Sequence, residues 1–175
     1  NSECIIIDAA HTADPIIDAV AGRTVKGIVC THAHNDHITV APELAEKLDT
    51  RIFVHPGDQM LWEQTHPGVA HEGLEDGEQF SIADTAMSVI NTPGHSPGSC
   101  CLYLPEAHVL LSGDTLFAGG PGATGDRFII PDNIDSLKTR ILTLPQRTEV
   151  YTGHGDATSI GEEAPHLEEW IERGY

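Results

Sequence analysis

A chain of 175 residues with 27 acidic against nine basic side chains, a formal charge of −18, is long enough to bury a core without disulfide staples. The charge works against a nucleic-acid backbone or an anionic membrane surface as partner, because no Lys/Arg-rich run offers counterion release. No apolar run approaches the roughly 20 residues that span a bilayer. Four cysteines (Cys4, Cys30, Cys100, Cys101) lie in apolar contexts without C-x-x-C spacing. They read as buried reduced thiols in a cytoplasmic protein, and no signal peptide opens the chain. No repeat, low-complexity tract or linker divides the sequence, so a single domain over residues 1–175 is expected.

In chain order, Cys4–Ala9 and Lys26–Thr31 read as continuous apolar strands on either side of a helix around Asp14–Ala21. Ile38–Leu48 has helical spacing, and Arg51–His55 returns as a strand. Strands buried on both faces read as such runs, with helices as the crossovers. The middle then changes character. Glu78–Ile82, Ala86–Asn91, Cys100–Leu104 and His108–Ser112 are strand-length segments, the last two joined tightly by Pro105-Glu106-Ala107 as an antiparallel pair. Asp132–Leu144 reads as a helix with Ile134, Leu137 and Ile141 on one face. Glu149–Thr152 is a short strand, and Ser159-x-x-Glu162 opens a final helix that carries Leu167 and Trp170 inward. Two β-rich regions covered by helices suggest an α/β fold in four αββα layers, although periodicity alone leaves other α/β arrangements open.

The chemistry concentrates in Thr31-His32-Ala33-His34-Asn35-Asp36-His37, directly after a buried strand. Neutral imidazole and carboxylate are what zinc and other borderline divalent cations select. Pro93-Gly94-His95, Gly113-Asp114-Thr115 and Gly153-His154-Gly155 each place one more ligand-type residue beside glycine after a strand-like run. Cys30 lies close enough in sequence to be weighed as a ligand, although burial is the simpler reading. Two adjacent metals can share a water and lower its pKa from about 15.7 toward neutrality. The hydroxide then attacks a carbonyl carbon, and no serine or cysteine nucleophile is required. Asp36 either acts as a ligand only or also relays the proton.

The remaining features have plainer readings beside functional ones. His55 reads as a cap or surface group. His66 and His71 read as surface loop or as lining of the site entrance, and His11, His108 and His166 as solvent-facing. Trp62 and Trp170 read as helix packing. The glycine-rich Phe117–Gly125 lacks the ending of a phosphate-binding loop and suits a mobile rim beside the metals. Arg127, just beyond it, either pairs with a substrate carboxylate or is solvated surface.

The motifs H-A-H-N-D-H, T-P-G-H-S-P-G-S, S-G-D-T-L-F and T-G-H-G-D, in that order over about residues 3 to 172, resemble the signature of metallo-β-lactamase-fold hydrolases, the glyoxalase II-like branch above all. The resemblance implies an αββα sandwich and two divalent metal ions, zinc first, with iron or manganese as alternatives. It implies His32, His34 and His95 on one metal, Asp36, His37 and His154 on the second, and Asp114 bridging. Related chains have a further strand or two before the segment resembling Glu3–Asp8, so one or more N-terminal strands are expected to be missing here. The implied activity is hydrolysis of a thioester of a low-molecular-weight thiol. The sequence stops soon after Ile160–Arg173, without the basic C-terminal region that binds glutathione in longer relatives, which points away from glutathione itself. The alternative is a persulfide dioxygenase, which shares a similar T-H-x-H-x-D-H-I-T run and uses a single iron. β-Lactam cleavage fits less well, because Asp114 stands where the best-known secreted lactamases use cysteine.

Overall fold

The computed structural model describes residues 2–123 and 130–174. The first half is a parallel sheet with helical crossovers: β1 (Glu3–Ile7), α1 (Ala13–Val20), β2 (Thr24–Val29), α2 (Asn35–Ile38), α3 (Ala41–Leu48), β3 (Ile52–Val54), α4 (Gln59–Thr65) and β4 (Glu72–Gly73). The strand order is β1-β2-β3-β4, with β1 at one edge. The expected helix over Ile38–Leu48 is divided. Val40 donates its N–H to Ala9 O at 3.0 Å instead of continuing a helix, and Pro42 sits in the first turn of α3, where a missing N–H costs nothing.

The second half contains β5 (Gln79–Ile82), β6 (Thr85–Asn91), β7 (Cys100–Leu104), β8 (Val109–Gly113) and a small hairpin of β9 (Leu116–Phe117) and β10 (Gly120–Pro121). After α5 (Ile130–Ser136) come β11 (Glu149–Thr152), β12 (Thr158–Ser159), α6 (Ile160–Glu163) and α7 (Leu167–Arg173). The sheet runs β12-β11-β8-β7-β6-β5; β11 is parallel to β8 and the other pairs are antiparallel. The helix expected over Asp132–Leu144 widens into a π turn at Leu137–Ile141. Leu137 and Ile141 both stay buried, and Arg140 donates to Asn91 O at 2.9 Å and Asp76 Oδ2 at 3.0 Å. The final helical region starts as its capping signature requires, with Ser159 Oγ accepting the Glu162 N–H at 3.2 Å.

Four layers follow from period-2 alternation along strands that are apolar on both faces. In β2, Ile28 packs under the helices of the first half while Val29 faces the interior between the sheets. In β7, Cys100 and Leu102 face that interior and Cys101 packs against Leu137, Ile141, Ile160 and Trp170 of the second helical layer. Trp62 and Trp170 are both fully enclosed. None of the described helices is long and apolar enough to cross a membrane.

His108 departs from its expected solvent-facing place. It closes the turn between β7 and β8 in left-handed backbone (φ 54°) and is half-buried, with Nδ1 enclosed and without a hydrogen bond. β4, β9, β10 and β12, of two residues each, are too short to leave a periodic pattern.

Candidate metal centre

Parallel strands deliver their C-terminal ends to one edge, and both sheets use that edge here. Asp8 follows β1; His32, His34, Asp36 and His37 follow β2; Asp58 follows β3. In the second sheet β6, β8 and β11 run the same way and lead to His95, Asp114 and His154. The two edges are tied where Cys100 N–H donates to Thr31 O at 2.7 Å.

The seven side chains singled out in the sequence meet at this edge. His34 Nδ1 lies 2.9 Å from His95 Nε2, and His37 Nε2 lies 3.1 Å from His154 Nε2. Asp36 Oδ2 is 3.1 Å from His154 Nε2. Asp114 stands between the two halves: Oδ1 is 3.4 Å from His37 Nε2, and Oδ2 is 3.6 Å from His95 Nε2 and 3.7 Å from His154 Nε2. Three overlapping groups have donor atoms within 4.8 Å of one another: His32, His34, His95; His32, His37, Asp114; and Asp36, His37, His154. His32 Nε2 and Asp114 Oδ1 are buried with no hydrogen bond. Orphaned polar atoms of this kind are costly unless something fills the space between them, and a divalent cation fits both.

Electrostatics point the same way. Burial, followed by the neighbouring imidazoles His37, His95 and His34, drives His32 far below the ordinary histidine range. Burial and His95 also lower His34. Burial works against a charged His37, but Asp114 and Asp8 outweigh it and push its imidazolium up to about 10. An imidazole must be neutral to ligate a metal, so a cation held at His37 would compete with this imidazolium.

The outer nitrogens of the imidazoles are oriented by residues that the motif reading passed over. His37 Nδ1 donates to Asp8 Oδ2 at 2.9 Å. The Thr31 hydroxyl donates to the same oxygen at 2.7 Å and lies 3.2 Å from His32 Nδ1. The Thr31 N–H takes Asp8 Oδ1 at 2.7 Å. Asp8 achieves this from left-handed backbone (φ 53°), a region that Asp tolerates better than most residues. His95 Nδ1 donates to Ala123 O at 2.6 Å. Asp58, fully buried, joins the two histidine loops by accepting from Ala33 N–H (2.9 Å), Ser96 Oγ (2.7 Å) and Gly98 N–H (2.6 Å). An acid ending the apolar run Ile5-Ile6-Ile7 was a visible signal for Asp8. Asp58 sits in a Pro-Gly-Asp turn, which reads as any loop.

Close approach requires glycine at positions 153 and 113, among others. A Cβ on Gly153 would collide with Asp114 Oδ1 and His37 Cε1, and one on Gly113 (φ 48°) with the Thr31 side chain.

Other candidates fall elsewhere. Arg127 and the last two residues of the glycine-rich stretch, Thr124 and Gly125, lie outside the described residues. His55 caps the turn after β3 by accepting Gly57 N–H. His66 bonds Ile38 O at 2.8 Å and His71 bonds Gln59 Oε1 at 2.8 Å, both packed on Trp62. Cys30 is buried in the first core and belongs to none of the three groups.

A four-layer αββα sandwich with a His/Asp cluster at the strand ends defines a class of metal-binding enzyme scaffolds. The profile of the metallo-beta-lactamase superfamily matches residues 1–154, and the chain belongs to that superfamily of metal-dependent hydrolases. It is 34% identical to the probable metallo-hydrolase YqgX of Bacillus subtilis, over 91% of this chain and 83% of that protein. It is 33% identical to a hydroxyacylglutathione hydrolase of Rhizobium meliloti, over 80% of this chain but only 53% of that protein. Among solved structures, a di-iron-bound form of TTHA1623 superposes with a TM-score of 0.78 at 32% identity, covering 90% and 85% of the two chains. The BLEG-1 B3 metallo-beta-lactamase superposes at 0.80 and 30% identity, covering 95% and 88%.

Proposed function

We propose that this protein is a binuclear metal-dependent hydrolase that cleaves a thioester of a low-molecular-weight thiol. The observation that carries the two-metal reading is the position of Asp114, whose oxygens face histidines of both halves of the cluster. His32, His34 and His95 would hold one ion, Asp36, His37 and His154 the other, with Asp114 shared. Divalent ions held there would supply Lewis acidity, polarising a carbonyl and lowering the pKa of a water from about 15.7 toward neutrality. Zinc suits the imidazole and carboxylate donors, and iron is equally compatible with them.

The chain's own residues supply the remaining requirements. Asp8 and Ala123 O fix the ring orientation of His37 and His95, the outer-sphere support that sets ligand geometry. Asp36, half-exposed, is placed to accept a proton at the mouth of the site. No thiol among Cys30, Cys100 and Cys101 competes as nucleophile: burial raises all three, Cys101 to about 11 and Cys100 to about 12. Ser96 and Ser99 are buried and bonded to each other at 2.8 Å. The thioester reading draws on the likeness to hydroxyacylglutathione hydrolases, of which this chain spans about half the length.

Metal analysis of the purified protein beside a panel of thioesters, esters and β-lactams tests this. Two ions per chain with thioester cleavage are expected. Asp114→Ala should lose at least one ion and nearly all turnover. A single iron with oxygen consumption on a thiol persulfide would replace hydrolysis by the dioxygenase reading.

A further inference from the structure

The outer nitrogen of His95 is oriented by a carbonyl on the rim of the site. Its Nδ1 donates to Ala123 O at 2.6 Å, so in the neutral ring Nε2 carries no proton and faces the cluster, 2.9 Å from His34 Nδ1. That is the tautomer a metal ligand needs. Ala123 is exposed, so packing around its side chain does not hold this carbonyl in place. The hairpin before it does. In β9 and β10, Phe117 pairs with Gly120 and Leu116 with Pro121, and Gly122 N–H closes back on Thr115 O at 3.2 Å. Gly122 lies so close over the Asp114 carbonyl that a Cβ there would collide with it.

Asn133, in α5, touches both ends of this arrangement. Its backbone packs on Gly94, where a Cβ would run into Asn133 Cα and Cβ, and its Nδ2 donates to Gly122 O at 3.2 Å. Gly94 and Gly122 directly precede His95 and Ala123, so one residue spans the donor and the acceptor of the outer hydrogen bond. One turn later Ser136 Oγ donates to Pro93 O at 2.8 Å, docking the same helix on the same loop. Asn133 is buried, yet its Oδ1 finds no donor among the described residues. An apolar side chain would serve core packing better, because a buried acceptor left without a donor is costly. The far end of the hairpin is held by Glu163 at the end of α6. Both of its oxygens lie 3.1 Å from Gly119 N, and Oε1 also accepts the Thr158 hydroxyl at 2.6 Å.

We infer that Asn133 is a positioning residue for His95: it sets the gap between the Pro93–His95 loop and the β9–β10 hairpin, while Glu163 fixes the hairpin tip. The inference rests on the metal reading above. Under it, the ion held by His32, His34 and His95 depends on two helices that contribute no ligand.

The test follows the His95 Nδ1 proton by NMR in protein carrying isotopically labelled histidine, metal-free and zinc-loaded. His37, whose Nδ1 is held by Asp8, is the internal control. In Asn133→Ala and in Glu163→Ala the His95 proton should exchange with water roughly three- to tenfold faster, the worth of one hydrogen bond, with the His37 proton unchanged. Glu163→Gln keeps an acceptor for Gly119 and should exchange as the parent protein does; exchange as fast as in Glu163→Ala would remove Glu163 from the device. In zinc-loaded Asn133→Ala, one ion should bind about 10- to 100-fold more weakly and the other as before. An unchanged His95 proton in the folded variants would overturn the inference, whatever happens to the unfolding midpoint. Equal acceleration at His37 and His95 would overturn it too, because that is general loosening. If Asn133→Ala does not fold, Asn133→Ser and Glu163→Ala decide by the same signal. A protein that takes up no metal removes the metal reading instead, and the metal-free measurement still decides whether Asn133 positions His95.

Discussion

Gly153 shows how closely the centre is drawn. Its missing side chain leaves space that Asp114 Oδ1 and the His37 ring occupy, so Gly153→Ala forces one of two cluster residues aside. Overpacking of this kind costs about 1–3 kcal/mol, and a displacement of about 1 Å in a reacting constellation can cost about 10²-fold in rate. The expected variant folds, binds less than the full metal complement and has lost at least 10²-fold in turnover. Metal stoichiometry and unfolding midpoint, measured together, separate loss of the centre from loss of the fold. Residue identity therefore matters twice here: once for the donor, and again for the neighbour that must be small.

At the scale of elements, the loops after β2 and β6 are held together by one side chain. Asp58→Ala removes the acceptor shared by Ala33 N–H, Gly98 N–H and Ser96 Oγ, all in buried surroundings. Unsatisfied buried donors cost about 1–3 kcal/mol each, so a loss of about 3–5 kcal/mol in urea unfolding is expected. Asn, which keeps one acceptor oxygen, should recover part of it. Strand β7 carries a second consequence. Burial raises the thiols of Cys100 and Cys101 to about 12 and about 11, whereas unfolded thiols titrate near 8.5. Because the folded pKa lies above the unfolded one, the stabilisation is complete below about pH 8.5 and is lost as pH rises through the folded values. The unfolding free energy should therefore fall above about pH 9, by up to about 1.4 kcal/mol per pH unit for each such thiol. Cys101→Ala should show a shallower decline between pH 9 and 11, and an unchanged slope would count against its burial.

The molecule as a whole brings five imidazoles and the carboxylates of Asp36 and Asp114 to one edge shared by both sheets. His37 and His154 are 117 positions apart and Asp8 and His37 are 29 apart, so any ion held at this edge bridges the two halves of the sandwich. An ion that binds only the folded state stabilises it by about 2.7 kcal/mol when its free concentration is 100 times its dissociation constant. Chelation should lower the thermal midpoint by several degrees, and restoring zinc or iron should return it. An identical midpoint with and without metal would mean that the cluster does not bind ions tightly.

Much of this was legible in the residues. Apolar runs such as Ile5-Ile6-Ile7 and Ile28-Val29-Cys30 already marked strands covered on both faces, because burial on two sides leaves no polar alternation to read. The donors His32, His34, Asp36 and His37 declared themselves because residue type and short spacing are local properties. What only the tertiary structure decided is what crosses the seam between the sheets: Asp8 behind His37, Asp58 between two loops, and Gly153 against Asp114. Each of these depends on strand register and on how two sheets are placed face to face. Those are set by the packing of the whole interior rather than by any short stretch of sequence.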